Sequence, residues 1–103
     1  MTDLNGTLFD LSGKNAIVTG ASRGIGEAIA RRMAQHGAKV VISSRKLDSC
    51  EEVAKSINEV EGRDAAVPIA CNISHREALD QLVEKTNEKL GPVDILVCNA
   101  AVN

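Results

Sequence analysis

Two kinds of apolar pattern take turns along the chain. Residues 15–19 (NAIVT) form a short continuous run that stops at Gly20, as a buried strand does. From 24 to 35 the pattern turns helical, with Ile25, Ala28, Ile29 and Met33 at helical spacing and Gly37 as the stop. A second strand follows at 38–43 (AKVVIS). Leu47, Cys50, Val53, Ala54, Ile57 and Val60 then recur at spacings of three and four, which predicts one apolar stripe on a helix ended by Gly62. Residues 65–71 (AAVPIAC) read as a third strand, and Pro68, which donates nothing to a ladder, predicts that it lies at an edge. Ser74-His75-Arg76-Glu77 reads as a capping box, with the Ser as cap and Glu77 reaching back to it. Ala78, Leu79, Leu82, Val83 and Leu90 are the expected buried face of that helix, and Gly91-Pro92 is its stop. Residues 93–98 (VDILVC) make a fourth strand. Ahead of all this, residues 1–13 are a polar lead-in with Leu8, Phe9 and Leu11 as expected anchors.

The order β-α-β-α-β-α-β predicts an α/β fold with a doubly wound parallel sheet, because continuous apolar strands joined by helical crossovers are covered on both faces. Right-handed crossovers leave few topologies, and the expected strand order is 3-2-1-4. At 103 residues, 44% hydrophobic and 25% charged, the chain suits one domain over 1–103. Its aromatic inventory is a single Phe with no Tyr or Trp, so the core must be aliphatic. The net charge of -2 supplies no basic field for nucleic acid or an anionic membrane. No apolar stretch approaches a membrane span, and the first residues lack the basic and apolar regions of a signal peptide. Three cysteines without a CxxC spacing argue against a disulfide framework or a zinc site and predict a reduced, cytoplasmic protein. In the expected strand order Cys71 and Cys98 stand about 14 Å apart, too far to bridge. Cys50, on the apolar stripe, is expected in the core.

The segment between the first strand and the first helix, Thr19-Gly20-Ala21-Ser22-Arg23-Gly24-Ile25-Gly26, carries the candidate chemistry. Gly20 permits a sharp turn out of the strand. Gly24 leaves no side chain between the backbone and a pyrophosphate, and Gly26 lets the helix approach closely. Exposed N–H groups at a helix N-terminus favour a dianion there. A tight βα turn alone needs one glycine, not three.

The spacing G-x-x-x-G-x-G resembles the TGxxxGxG fingerprint of the short-chain dehydrogenase/reductase family. Asn99-Ala100-Ala101 is similar to that family's NNAG motif, with Cys98 and Ala101 replacing its outer residues. Cys71-Asn72-Ile73 resembles the segment after the third strand, with Asn72 where an adenine-contacting Asp is usual, and residues 92–97 (PVDILV) resemble the lead into the fourth. The likeness covers essentially the whole chain, and the strings SSRK (43–46) and NAAVN (99–103) most resemble the NADPH-dependent carbonyl and retinal reductase branch. It implies a Rossmann-type sheet, incomplete relative to the family fold, and a nicotinamide cofactor held by Gly20, Ser22, Arg23, Gly24, Ile25, Gly26, Asn72, Ile73, Asn99 and Ala100.

An NAD site wants a carboxylate at the end of the second strand. Here the chain reads Ser43-Ser44-Arg45-Lys46, with no acid until Asp48. Arg45 can meet a 2′-phosphate with a charge-assisted fork, and Ser44 can donate to it. Two cations at a helix entrance oppose its dipole unless an anion compensates. NADP(H) is therefore expected, with NAD(H) the lesser alternative.

In the family, proton transfer belongs to a Tyr and Lys, with a Ser and Asn, in the half that follows the fourth strand. This chain has no Tyr, so no catalytic residue is assigned and the 103 residues alone are expected to be inactive. His36 and His75 read as a helix-end dipole partner and a surface residue. The fourth strand would be a bare apolar edge, so the chain reads as the N-terminal part of a longer protein. That protein is expected to act on a small carbonyl or alcohol substrate as a homo-oligomer, dimer or tetramer. A nucleotide-sensing module and a truncated remnant are the other readings.

Overall fold

Successive residues of a strand point to opposite faces of a sheet, and the central strand of this chain is apolar on both. In the computed structural model, which describes residues 10–72 and 75–99, Ala16 and Val18 face one layer and Ile17 the other, all with no solvent exposure. The elements are β1 (Asn15–Thr19), α1 (Gly24–Gln35), β2 (Lys39–Ser43), α2 (Leu47–Glu61), β3 (Ala66–Pro68), α3 (Arg76–Lys89) and β4 (Ile95–Val97). The sheet runs β3-β2-β1-β4 and every pairing is parallel, as expected from the pattern. Pro68 lies on an edge strand, where its missing N–H costs no ladder bond.

Helices α1 and α2 cover the first face. Ala30, Ala34, Cys50, Val53, Ala54 and Ile57 pack there against Ala16, Val18, Val40 and Ile42. Helix α3 covers the second, where Leu82 meets Ile17, Val41 and Ile69, with Leu79, Val83 and Leu90 beside them. The core among the described residues is aliphatic; the anchors Leu8 and Phe9 lie outside them, and Leu11 packs against the first cluster.

Three apolar patterns needed correction. On α1 the buried line is Gly26, Ala30 and Ala34, while Ile25 is 72% exposed and Ala28 is exposed. Ile29 and Met33, on the same line as Ile25, pack against the first cluster as expected, so the stripe departs only at Ile25 and Ala28. On α2 the stripe holds at Cys50, Val53, Ala54 and Ile57, but Leu47 and Val60 at its two ends are exposed. A helix of 15 residues is about 22 Å long, whereas a strand of five spans about 17 Å, so its ends overhang the sheet. Helix α3 starts at Arg76 behind His75, which gives no side-chain cap; the expected cap, Ser74, lies outside the described residues. Of the face expected on α3, Leu82 is buried and Ala78, Leu79, Val83 and Leu90 are half-buried. Thr86 joins the buried side by donating its hydroxyl to the Leu82 carbonyl at 2.8 Å.

The third and fourth strands are shorter than the apolar runs that predicted them. Contact with β2 nonetheless extends along 65–71, since Val40 N–H donates to Ala65 O, Ile69 N–H to Ile42 O and Cys71 N–H to Ser44 O. The entry to β4 is held by Asn15. Its backbone N–H donates to Asp94 Oδ2 at 2.8 Å, its carbonyl accepts Asp94 N–H at 2.8 Å, and its side-chain amide donates to the Leu90 and Pro92 carbonyls. No helix among the described residues is long and apolar enough to cross a membrane.

Arg63, in the loop between α2 and β3, closes the far end of α1. Its Nη2 donates to Ala34 O at 2.8 Å and to Ala38 O at 3.3 Å, tying the last turn of α1 to the segment that enters β2, beside the Gly37 N–H that Ala34 O also accepts. Arg63→Ala should therefore lower stability by about 1 kcal/mol, read as a fall of about 5 °C in the thermal midpoint. An unchanged midpoint would show that water replaces the guanidinium without loss.

Candidate nucleotide-binding site

In a parallel sheet all strands end on the same side, and the loops that leave them converge there. The segments singled out in the sequence all lie on that side: 20–26 after β1, 44–46 after β2, 69–72 after β3 and 98–99 after β4. Ile73 and Ala100 lie outside the described residues.

The turn out of β1 needs two left-handed glycines, Gly20 at φ 64° and Gly24 at φ 61°. Between them, buried Ala21 donates its N–H to Ser43 O at 3.1 Å, which ties the loop to the end of β2. Ser22 is half-buried, Arg23 and Gly24 are exposed, and Arg23 stands in extended conformation as the residue before α1. The first helical bond is made by Glu27 N–H to Arg23 O, so the N–H groups of Gly24, Ile25 and Gly26 lie ahead of it. A β-carbon on Gly24 would meet nothing within 4 Å, which leaves the mouth of the loop open. These amides, the positive helix end and the open mouth fit an anion of phosphate size.

Gly26 is different. A β-carbon there would overlap the Gly20 carbonyl oxygen and come within 2.7 Å of Asn99 Nδ2. The close approach is thus between the start of α1, the first loop and the segment after β4, rather than between helix and strand alone. Thr19 completes this junction. Its hydroxyl donates to Val97 O at 3.3 Å and accepts Asn99 N–H at 3.0 Å. Thr19 had no role assigned from the sequence beyond standing in the fingerprint; the available signal was a polar side chain at the last position of an apolar central strand.

After β2, Ser44 is half-buried and Arg45 and Lys46 are exposed. Lys46 precedes α2, which has no side-chain N-cap. Among the described residues the sole ion pair joins Arg31 to Glu27, so Arg23, Arg45 and Lys46 are not neutralised by a carboxylate. Asn72 is exposed just past β3, and its carbonyl accepts His75 N–H at 3.2 Å. Beside it the Cys71 thiol donates to Ala78 O at 3.3 Å, and burial pushes its pKa above the ordinary thiol value against the opposing pull of Lys85. All three cysteines are free, with Cys50 buried as expected and Cys98 exposed. No group of His, Cys, Asp and Glu among the described residues could hold a metal ion.

Comparison with known proteins matches this geometry. The family model described as short chain dehydrogenase matches residues 14–103. The human protein "Dehydrogenase/reductase SDR family member 2, mitochondrial" is 46% identical over 94 residues, 90% of this chain and 32% of its own length. L-sorbose reductase from Gluconobacter frateurii, solved with NADPH and L-sorbose, superposes with a TM-score of 0.84 at 38% identity, over 91% of this chain and 35% of its own. A 3-ketoacyl-(acyl-carrier-protein) reductase from Brucella melitensis, solved with NADH, superposes with a TM-score of 0.75 at 45% identity, over 84% of this chain and 34% of its own. The chain spans about a third of the length of these relatives.

The two helix-entry glycines should respond differently to substitution. Gly24→Ala meets open space and carries only the left-handed backbone cost, about 1–2 kcal/mol. Gly26→Ala must displace backbone and should cost more, since overpacking of this kind adds about 1–3 kcal/mol or more. Urea denaturation of both variants reads the difference; equal midpoints would place the tight contact elsewhere.

Proposed function

Since the chain belongs to the short-chain dehydrogenase family, we propose that it supplies the NADP(H)-binding part of an oxidoreductase working on a small carbonyl or alcohol substrate. The glycine loop from Gly20 through Ser22, Gly24 and Ile25 to Gly26 takes the pyrophosphate, and Arg23 within it approaches the 2′-phosphate from the side opposite Arg45. Asn72 and Ile73 flank the adenine, with the Asn72 amide oxygen as an acceptor for its amino group. Asn99 and Ala100 line the route toward the nicotinamide. Bound there, the cofactor carries a hydride to or from the substrate carbon, and the residues named here bind and orient it. The proton that accompanies the hydride needs a group outside these 103 residues, which include no Tyr. The complete enzyme works as a homo-oligomer.

The observation that carries the choice of NADP(H) is the unneutralised positive charge at the end of β2. Arg45 and Lys46 are exposed, Arg23 stands exposed on the neighbouring loop, and no carboxylate occupies 43–46. A carboxylate would accept the ribose hydroxyls of NAD and repel the 2′-phosphate of NADP. Arg45 instead supplies a charged fork and Ser44 a hydroxyl donor.

Isothermal titration of the full chain with NADPH and NADH should show tighter NADPH binding. Ser44→Asp combined with Arg45→Ala should move the preference toward NADH by about tenfold or more, the loss of a charge-assisted contact plus the gain of an acceptor. An unchanged ratio would show that the 2′-phosphate site lies elsewhere.

A further inference from the structure

We infer that Cys50 is a positioning residue that aims the Ser44 hydroxyl at the cofactor's 2′-phosphate, an inference that rests on the NADP(H) reading. Cys50 is wholly buried on the core side of α2, one turn inside the helix, and its Sγ lies 3.1 Å from Ser44 Oγ. Lys46 N–H also donates to Ser44 Oγ at 3.3 Å. A hydroxyl has two acceptor lone pairs and one proton. Either atom can donate in the thiol contact; when the thiol does, it and the Lys46 amide engage both lone pairs. The remaining contact, with Lys46 O, is long at 3.4 Å, and that carbonyl already accepts Cys50 N–H at 3.2 Å. The Ser44 proton is thereby held only by this long contact, and a phosphate oxygen, being charged, is the stronger acceptor and takes it over.

The test is titration of the full chain and its variants with NADPH and NADH. Cys50→Ala should weaken NADPH binding about three- to fivefold, the scale of one weak hydrogen bond, and leave NADH binding as it was. Cys50→Val, which fills the site without a donor, should match it, and Cys50→Ser, which keeps a donor, should restore NADPH affinity. Equal losses for both cofactors, or a Cys50→Ser that behaves like Cys50→Val, would overturn the positioning role in favour of packing. Ser44→Ala separates the two layers: if it leaves NADPH binding intact, the reading of Ser44 itself has failed; if it weakens NADPH while Cys50→Ala does not, only the role of Cys50 has.

A second inference rests on the other end of α2. The geometry points to Asn58 as a lock that closes the β3 edge to any further strand. The bonds from Val40 N–H to Ala65 O and from Ile69 N–H to Ile42 O fix the alternation of β3, and turn the backbone groups of Ala66 and Pro68 away from β2. Those outward groups are the ones another strand would use. Asn58 Oδ1 accepts both Ala65 N–H and Ala66 N–H at 2.7 Å, and its Nδ2 donates to Ala66 O at 3.1 Å. Pro68 has no N–H to offer. A side chain of α2 and one proline therefore take the place of a neighbouring strand.

Sedimentation velocity and hydrogen exchange on the full chain test the lock. In the native protein the Ala66 amide should be protected although it faces outward. Asn58→Ala with Pro68→Val should lose that protection and add species larger than the native assembly, increasing with concentration. Asn58→Asp, which still accepts both amides but loses the donor to Ala66 O, should keep the Ala66 amide protected. Ile57→Val, a core change that loosens the same helix, is the control for destabilisation alone. Association by Ile57→Val as well, or none by the folded double variant, would overturn the lock.

Discussion

The carbonyl oxygen of Gly20 occupies the volume where residue 26 would carry a side chain, and Asn99 Nδ2 lies against the same spot. Everything at the C-terminal side of the sheet depends on that contact. It lets the first turn of α1 lie against the loop it has just left, with three consecutive N–H groups ahead of the first helical bond. Thr19 holds the other side of the junction, with one hydroxyl shared between the Val97 carbonyl and the Asn99 amide. The loop after β1 and the segment after β4 are far apart in sequence, yet two small residues and one hydroxyl make them a single wall.

The same economy of volume runs through the core. Without aromatic side chains among its buried residues, the sheet is covered by Ala, Val, Ile, Leu and Cys, and the helices on its first face approach through Gly26, Ala30, Ala34 and Ala54. Close approach of a helix needs small residues at the contact, with larger neighbours such as Ile29 and Met33 packed at its margin.

Much of this was legible before any coordinates. Residue periodicity placed all seven elements in order, Pro68 marked β3 as an edge, and the glycine spacing located the loop. The misreadings share a cause. Leu47, Val60 and Ile25 fit a helical stripe, but a stripe says nothing about where the partner sheet ends or how near it comes. Thr19, Asn58 and Cys50 were missed in their present roles because each acts through a partner chosen by the fold. Asn58 reads as an ordinary polar residue on a helix, and only the return of 65–66 past it supplies the two N–H groups and the carbonyl it meets.

The sequence by itself determined the alternation of strand and helix, the aliphatic core and the backbone freedom of the first loop. These follow from side-chain period, volume and the missing β-carbon of glycine, all properties of residues near one another along the chain. The tertiary structure decided which face of α1 is buried, which hydroxyl joins β1 to β4, and which edge of the sheet is sealed. Those outcomes depend on distances between groups separated by many residues, such as Asn15 and Asp94 or Thr19 and Asn99. Such distances are set only when the sheet closes, because a hydrogen bond forms within a fraction of an ångström and no local pattern encodes a separation that fine.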